Sequence, residues 1–474
     1  MNPPFLALCR LAAQALLCLC WTQSLAASKP NILFLLPDQW RAQAFGFAGD
    51  PNVQTPRLDR LERECVNFTQ AVAGMPVCSP TRASLLTGQR PLTHGVFVND
   101  VPLGTNAVTL AKVLKAEGYD TACIGKWHVD GHGSRSAFIP RERRQGFDYW
   151  KVLECTHNYN RSLYYSDGPE PLTWEGYDAI AQTRDAQRYL EGRAKSDRPF
   201  LLWLAWGPPH NPYETAPPKY RARYAPEKIQ LRANVPEAMR ETARKELAGY
   251  YAHCTAIDDC VADLLATLNA TGLADNTIIV FTSDHGDMLR SLGEQRKQRP
   301  YEESARVPML FRLPARLGIA PRRVDGTINT EDVMPTLLGL CGIPVPKTVE
   351  GFDFTGYLRG GADPSGGVAV ISCASPFGEF TRGIGGREYR ALRTGRYTYA
   401  RDLNGPWLLF DREKDPDQLA NLAGRPEHAE LQARLEAQLQ RKLADAHDDF
   451  RPGHEYIAKW GYQVDANGTV PYKN

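Results

Sequence analysis

The chain has 474 residues, of which 43% are hydrophobic and 23% are charged, a composition typical of folded globular proteins rather than of disordered or fibrous ones. Its 56 Lys and Arg residues nearly balance its 54 Asp and Glu residues, which argues against nucleic acid or an anionic membrane as the main partner. One hydrophobic core seldom serves so long a chain, so we expect one large domain with a smaller companion.

The first 27 residues differ from the rest. Residues 5–21 are mostly apolar, and the small-residue stretch Ser24-Leu25-Ala26-Ala27 follows them. This pattern is typical of a secretory signal peptide. A short membrane anchor is the alternative, but the apolar run is broken by Arg10 and is shorter than a full span. We predict a signal peptide at residues 1–27 and an exported mature protein (secreted, periplasmic or lysosomal) that is no longer attached to a membrane.

Short apolar runs then predict strands that are buried on both faces. The first covers residues 31–36 and ends at Pro37-Asp38. Further runs lie at residues 121–125, 200–206, 277–282, 309–313 and 368–371, and helical patterns lie at residues 109–117 and 246–268. Strands that alternate with helices indicate an α/β fold, with a large and mostly parallel sheet flanked by helices. We assign residues 28–350 to this N-terminal domain.

The sequence changes character at residues 351–367, which are rich in Gly and Pro. After them, residues 387–402 and 407–410 have the pattern of hairpin strands, and residues 427–444 have that of an amphipathic helix. We therefore predict a smaller C-terminal α+β subdomain at residues 351–474, with an antiparallel sheet and a helix.

Two acidic residues directly follow predicted strands: Asp38, with Gln39 beside it, and Asp284, with His285 beside it. In open parallel sheets, active groups collect beyond the carboxyl ends of the strands. Paired oxygen donors at that edge can bind a hard divalent cation. Taken alone, an Asp in this position is more often a helix cap or a turn residue.

Cys78 stands just before a predicted helix. The segment reads Cys78-Ser79-Pro80-Thr81-Arg82 and continues Ala83-Ser84-Leu85-Leu86-Thr87-Gly88. A Pro close to the start of a helical pattern is typical of a helix N-terminus, where backbone N–H groups and the helix dipole favour an anion. For a single Cys, the structural alternative is a small buried hydrophobic residue.

These residues resemble the signature of the sulfatase family, in which the cysteine is oxidised after synthesis to formylglycine. The resemblance continues in the family's order along the chain, through Gly125-Lys126-Trp127-His128, Pro208-Pro209-His210, Ser283-Asp284-His285-Gly286-Asp287, Lys297, Tyr301-Glu302-Glu303 and Arg306-Val307-Pro308. It implies an alkaline-phosphatase-like fold and the activity of a sulfuric ester hydrolase.

The resemblance also implies the roles of the motif residues. One divalent cation, which we expect to be Ca²⁺ with Mg²⁺ or Mn²⁺ as alternatives, would be held by Asp38, Gln39, the modified Cys78, Asp284 and His285. Cys78 would supply the nucleophile, and Arg82 would steady it. Lys126 and Lys297 would bind the sulfate oxygens, His128 would assist collapse of the aldehyde hydrate, and His210 with Lys297 would protonate the leaving oxygen.

Two features depart from many family members. The cation set is Asp, Gln, Asp and His instead of three Asp and one Asn, so it holds two formal carboxylate charges in place of three. The Gly-x-His-Gly element that often precedes the catalytic lysine is absent, which leaves Arg296 and Arg299 as rivals of Lys297. A further hypothesis is that Arg290, Arg296, Lys297 and Arg299 form a rim that attracts a polyanionic substrate.

We therefore expect a sulfatase that acts on a sulfated small molecule or oligosaccharide, of the carbohydrate or glycosaminoglycan type, and that is matured by a formylglycine-generating enzyme. The alternatives are a phosphonate or phosphate ester hydrolase on the same fold, an aryl sulfatase for small aryl sulfates, and an inactive glycan-binding protein. Residues 94–100 and 377–382 are candidate pocket walls.

Overall fold

The computed structural model describes residues 29–471, so the predicted signal peptide lies outside the described residues. Within that range, no helix is both long and apolar enough to cross a membrane. The eight cysteines of the same range are all buried and free.

The strands of the described residues form sheets of eight, four and two strands. In chain order they are β1 (Asn31–Leu35), β2 (Cys65–Phe68), β3 (Asp120–Lys126), β4 (Tyr149–Leu153), β5 (Leu163–Tyr164), β6 (Leu172–Thr173), β7 (Phe200–Ala205), β8 (Thr277–Thr282), β9 (Met309–Arg312), β10 (Arg322–Val324), β11 (Val368–Cys373), β12 (Tyr389–Thr394), β13 (Tyr397–Asp402) and β14 (Gly405–Asp411). The large sheet has the order β10-β2-β9-β8-β1-β7-β3-β4. Only β9 runs antiparallel to its neighbours among these strands, so the predicted mostly parallel sheet is confirmed.

Both faces of the large sheet are covered. Alternate residues of β1 enter different cores: Ile32 and Phe34 enter one, and Leu33 and Leu35 enter the other. Burial on both faces explains why this strand is a continuous apolar run rather than an alternating one.

The α-helices of the described residues are Pro56–Glu62, Cys78–Thr87, Pro91–His94, Leu110–Ala116, Asp178–Arg193, Pro218–Arg221, Arg240–Ala270, Glu302–Ala305, Val333–Leu340, Thr355–Leu358, Ala429–Asp445 and Gly453–Trp460.

The four-stranded sheet is antiparallel and has the order β11-β12-β13-β14. The helix Ala429–Asp445 packs on one of its faces through Leu435, Leu439 and Leu443. The other face packs on the large domain, where it meets Val72 and Ala305. The predicted C-terminal architecture of an antiparallel sheet with a helix is therefore confirmed.

Candidate active site

The candidate site lies at the carboxyl edge of the large sheet. Strands β8, β1, β7 and β3 lie side by side and are parallel to one another, so they end at the same edge. Asp38 follows β1, Lys126 is the last residue of β3, His210 follows β7, and Asp284 follows β8. The helix Cys78–Thr87 begins at Cys78 and presents its first turn to this edge. The fold thus brings the sequence-predicted site residues together from distant parts of the chain.

The thiol of Cys78 lies at the centre of the cluster and is 1% exposed. Its Sγ atom lies 3.2 Å from Nε2 of His285 and 3.4 Å from Nζ of Lys297. Nζ of Lys126 and Oδ1 of Asp38 each lie 3.8 Å from the same sulfur. Burial and Asp38 would raise the pKa of the thiol, but Lys126, Lys297 and His285 outweigh them and hold that pKa well below its ordinary value. The surroundings therefore favour negative charge at position 78.

Arg82, one helical turn after Cys78, joins the helix to three strand ends. Its Nε donates to Oδ2 of Asp284 at 3.0 Å, one Nη donates to Oδ2 of Asp38 at 3.1 Å, and the other donates to the carbonyl of Lys126 at 3.1 Å. Nζ of Lys126 lies 2.6 Å from the same oxygen of Asp38. Burial would raise the pKa of Asp38, but the positive charges of Lys126 and Arg82 outweigh it and hold that pKa well below its ordinary value. Asp38 is therefore ionised although it is fully buried.

Two carboxylates and an imidazole face one another in a way that fits a metal ion. Nε2 of His285 lies 3.5 Å from Oδ1 of Asp38 and 3.7 Å from Oδ1 of Asp284. These separations are too long for good hydrogen bonds, and they suit atoms that share one cation. Nδ1 of His285 donates to the carbonyl of Gly286 at 2.8 Å, which leaves the Nε2 lone pair available. Ligand atoms of Asp38, Cys78, Asp284 and His285 all lie within 4.8 Å of one another.

Gln39 lies beside this donor set, and Asp287 fixes the orientation of its amide. Nε2 of Gln39 donates to Oδ2 of Asp287 at 2.6 Å, so Oε1 points the other way, where it accepts from Nζ of Lys297 at 3.2 Å. Asp287 is fully buried and also accepts from the hydroxyl of Tyr213. The buried group of Asp38, Asp284 and His285 beside Cys78 therefore fits a divalent cation, with carboxylate oxygens and one nitrogen as donors.

Lys297 and His210 form the opposite side of the site. Nζ of Lys297 donates to Nε2 of His210 at 2.9 Å, and Nδ1 of His210 donates to the carbonyl of Asn211 at 2.8 Å. Burial, together with the positive charge of Lys297, holds the pKa of His210 well below its ordinary value. His210 is therefore neutral at neutral pH. The ring of His157 stacks on it with centroids 4.7 Å apart.

Three basic residues close to Lys297 in sequence, Arg290, Arg296 and Arg299, have partners away from Cys78. The guanidinium of Arg296 lies over the ring of Tyr213, 5.2 Å from its centroid. Arg299 is 1% exposed and its Nε binds Glu294 at 2.7 Å, while Arg290 binds Glu246 at 2.9 and 2.6 Å. Lys297 alone of these four residues approaches Cys78. The hypothesis that these four residues together form a basic rim is wrong, because Arg299 is buried and Arg290 is bound by Glu246.

His128 reaches the site from the loop after β3 with a left-handed backbone, φ 64°. Its backbone N–H donates to Oε2 of Glu154 at 3.1 Å, and Nε2 of its ring lies 3.1 Å from Oδ1 of Asp100. Burial would lower its pKa, but Cys155 and Asp100 raise that pKa to about 10. Nδ1 of His128 is buried and makes no hydrogen bond within the described part of the chain.

A cavity of about 190 Å³ opens beside Cys78. Both candidate walls contribute to it, through Asn99 and Asp100 on one side and Phe377 to Glu379 on the other. Sequence reasoning did not single out five further lining residues: Arg135, Cys155, His157, Gln298 and Thr469. They lie outside the sequence motifs and reach the cavity only through the tertiary fold.

With residue 78 uncharged, the side chains around it carry a surplus of positive charge even without a metal ion. Arg82, Lys126 and Lys297 carry three positive charges, whereas the carboxylates of Asp38 and Asp284 carry two negative ones. A divalent cation would increase that surplus. The arrangement suits an anionic substrate and the stabilisation of negative charge that develops during its reaction.

Comparison with known proteins gives consistent results along most of the chain. Residues 30–343 match the family model described as "Sulfatase", and residues 293–445 match "N-sulphoglucosamine sulphohydrolase, C-terminal". An ulvan-active sulfatase of Formosa agariphila is 46% identical over 452 residues, which cover 94% of this chain and 87% of that protein. An endo-4-O-sulfatase of Bacteroides thetaiotaomicron is 30% identical over 456 residues, with 84% and 88% covered. A solved candidate sulfatase of Bacteroides fragilis superposes with a TM-score of 0.82 at 31% identity, with 92% of this chain and 99% of that chain covered.

Proposed function

This chain belongs to the sulfatase family, and we propose that it removes sulfate from a sulfated carbohydrate, with residue 78 as the nucleophile after oxidation of Cys78 to formylglycine. It is a sulfuric ester hydrolase by family. The names of its ulvan-active and endo-4-O-sulfatase relatives support a carbohydrate substrate. The observation that carries the proposal is that Sγ of Cys78 lies within 3.8 Å of Lys126, Lys297, His285 and Asp38.

We propose that Asp38, Gln39, Asp284 and His285 hold one divalent cation, with Ca²⁺ preferred and Mg²⁺ or Mn²⁺ as alternatives. A bound cation of this kind polarises the sulfate and lowers the pKa of the attacking hydroxyl. Ca²⁺ is supported by the predominance of oxygen donors, whereas the nitrogen of His285 keeps Mn²⁺ as a rival.

The side chains around position 78 have different roles in ester cleavage. Lys126 and Lys297 lie 3.8 and 3.4 Å from Sγ of Cys78, where they can bind the sulfate oxygens that gain negative charge. Because Lys297 donates to Nε2 of neutral His210, the pair can pass a proton to the leaving oxygen. A hydrated formylglycine at position 78 would offer two hydroxyl groups on one carbon, which suits attack on sulfur followed by release of sulfate. His128 lies beside position 78 and, once it has given up its own proton, can take the proton of the second hydroxyl.

A substrate panel tests this function. Sulfate release should be measured on defined sulfated saccharides, an aryl sulfate and a matched aryl phosphonate, with and without a chelator. The proposal predicts metal-dependent turnover with the highest kcat/KM on a sulfated saccharide. A higher kcat/KM on the phosphonate would favour the alternative phosphonate or phosphate ester hydrolase, and a higher one on the aryl sulfate would favour the small-substrate alternative. Cys78→Ser should be inactive, whereas Cys260→Ala, which removes a buried thiol inside the helix Arg240–Ala270, should retain activity.

We further propose that the protein is exported and that a formylglycine-generating enzyme modifies it during maturation. The apolar residues 5–21 and the small residues 24–27 support export. The N-terminus of protein recovered from outside the cytoplasm should start after Ala27. Recovery of a chain that still begins at Met1 would contradict export through a cleaved signal.

A further inference from the structure

A second cavity, of about 400 Å³, lies apart from the one beside Cys78 and shares no lining residue with it. Its walls come from residues 41–52, residues 230–235, the loop that holds Leu289 and Ser291, and the segment from Arg412 to Asp417. The lining residues Gly49, Pro51, Gln230 and Pro416 are exposed, so the cavity opens to solvent. Nothing in the proposed reaction uses it.

Several buried polar atoms of this wall make no hydrogen bond to any residue that the structure describes. They are Nε of Arg41, Nε of Arg412, Oε1 of Gln43 and Oγ of Ser291. The Nε atoms of Arg232 and Arg306 also lack hydrogen-bond geometry, although they lie 3.1 and 2.8 Å from Glu303 and Glu302. Native proteins leave few buried polar atoms without partners. Their concentration around one cavity indicates that something in the cavity satisfies them.

Arg41 is the most unusual of these side chains. It is 2% exposed, and its guanidinium donates to the hydroxyl of Tyr251 at 3.2 Å. No carboxylate of the described residues forms a direct ion pair with it; that of Asp50 accepts from the same Tyr251 hydroxyl at 2.7 Å. Asp50 and Glu303 stabilise the cation at longer range, but a buried charge without a direct partner is costly, because its desolvation is only partly offset. Water in the cavity could accept its hydrogen bonds but could not neutralise its charge.

The opposite wall also carries excess positive charge. The carboxylate of Glu302 faces three guanidinium groups: those of Arg393 at 2.8 and 3.1 Å, of Arg306 at 2.8 Å and of Arg412 at 3.7 Å. One negative charge cannot neutralise three positive ones. Burial, together with Arg393 and Arg306, outweighs Glu302 and lowers the pKa of Arg412 to about 10. An anion next to Arg412 would relieve this repulsion.

We propose that this cavity is a second oxyanion site, which binds a free tetrahedral anion of the sulfate type between Arg41 and Arg412. Guanidinium groups suit such an anion because they present several N–H donors in one plane. The hydroxyl of Ser291 supplies a further donor from the same wall, and Nε2 of the Gln43 amide supplies another, while Oε1 of Gln43 accepts from the hydration water of the anion. A single water occupies about 30 Å³, so the cavity has room for the anion and part of its hydration shell.

Anomalous diffraction from crystals soaked in sodium selenate tests the site, because selenate mimics sulfate and the selenium marks its position. The wild type should show a selenium peak between Arg41 and Arg412. Gln43→Glu keeps the shape of the wall but places a negative charge in it, so this peak should disappear. Gln54→Glu is the matched control, since it adds the same charge on an exposed side chain outside the cavity, and it should keep the peak.

Calorimetric titration with selenate gives an independent reading in solution. The wild type and Gln54→Glu should bind one more selenate per chain than Gln43→Glu. Arg412→Gln is a second test variant and should weaken this binding at least about tenfold. Its control is Arg396→Gln, because Arg396 is a half-buried arginine that pairs with Asp411 and does not line the cavity. Wild-type crystals with only ordered water in the cavity would overturn the proposal, as would equal stoichiometry and affinity in all variants.

Discussion

Oδ1 of Asp100 lies 3.1 Å from Nε2 of His128, and Arg135 binds the same carboxylate through two nitrogens at 3.0 and 2.6 Å. Asp100 is 2% exposed and lines the cavity beside Cys78. A negative charge in this position opposes the binding of an anionic ester. The carboxylate should therefore contribute to another step of the reaction. We infer that Asp100 is a positioning residue, which orients His128 and stabilises its imidazolium form.

Asp100→Asn should therefore lower kcat and also lower KM. Without the carboxylate, His128 loses its orientation for proton transfer, which should cost about 10- to 100-fold in kcat, while the removal of the negative charge tightens substrate binding. Steady-state kinetics on one sulfate ester measure both constants. The control is Asp130→Asn. Asp130 is also buried and also bound by an arginine, Arg143, but it lies outside the cavity. A purely structural role for Asp100 would leave KM unchanged or raise it.

Lys297 and Arg296 should differ sharply as mutation sites, although they are adjacent in sequence. Nζ of Lys297 lies 3.4 Å from Sγ of Cys78, whereas Arg296 contacts Tyr213. Lys297→Met removes a donor aimed at the developing charge, which should cost about 10²- to 10³-fold in kcat. Arg296→Met should cost less than about tenfold, and the reverse order in kinetic assays would mean that Arg296 is the catalytic cation.

Arg82→Met should destabilise the fold as well as abolish turnover. Without the guanidinium, the buried carboxylates of Asp38 and Asp284 lose their shared partner. The free energy of unfolding in urea with chelator should fall by about 3–5 kcal/mol, and Ca²⁺ should restore part of that loss. Arg188→Met removes an exposed partner of Asp185 and should cost less than about 1 kcal/mol. Equal losses in the two variants would contradict this account of the buried cluster.

Acid should destabilise the protein through His253. This residue is fully buried, with Nδ1 2.6 Å from the hydroxyl of Tyr177 and Nε2 3.2 Å from the carbonyl of Pro212. Burial lowers its pKa to about 4 in the folded state, against about 6.5 in an unfolded chain. As pH falls from about 6.5 to 4, the unfolded chain binds a proton that the folded one does not, so up to about 3 kcal/mol of stability is lost.

Urea unfolding at several pH values measures this dependence. His253→Asn should flatten the fall in stability over that pH range, whereas His454→Asn, at an exposed position, should leave it unchanged. The prediction fails for His253 if the variant and the wild type lose stability in parallel.

The sequence alone predicted the parts of the site that follow long buried strands. Asp38 and Asp284 could be located because β1 and β8 are continuous apolar runs whose residues are all buried. Cys78 could be placed at a helix start because Pro80 and the residues after it have a helical pattern. The resemblance of the motifs to one family then suggested the remaining partners.

Other parts of the fold and the site left no local pattern to find. Strand β2 has four residues and includes Asn67, and β10 has three residues of which Arg322 and Arg323 are exposed. Neither strand shows a clear alternation. Arg135 and His157 come from loops that no motif covers, and only the packing of those loops against the sheet edge brings them to Cys78.

The most direct test of the account measures the modification of Cys78 and the catalytic rate on the same protein samples. Peptide mass spectrometry gives the fraction of chains in which the thiol is replaced by a carbonyl oxygen, with loss of sulfur and two hydrogens. Samples made with different amounts of a formylglycine-generating enzyme should release sulfate at rates proportional to that fraction. Full activity in chains whose Cys78 remains an unmodified thiol would contradict the claim that residue 78 acts as the oxidised nucleophile.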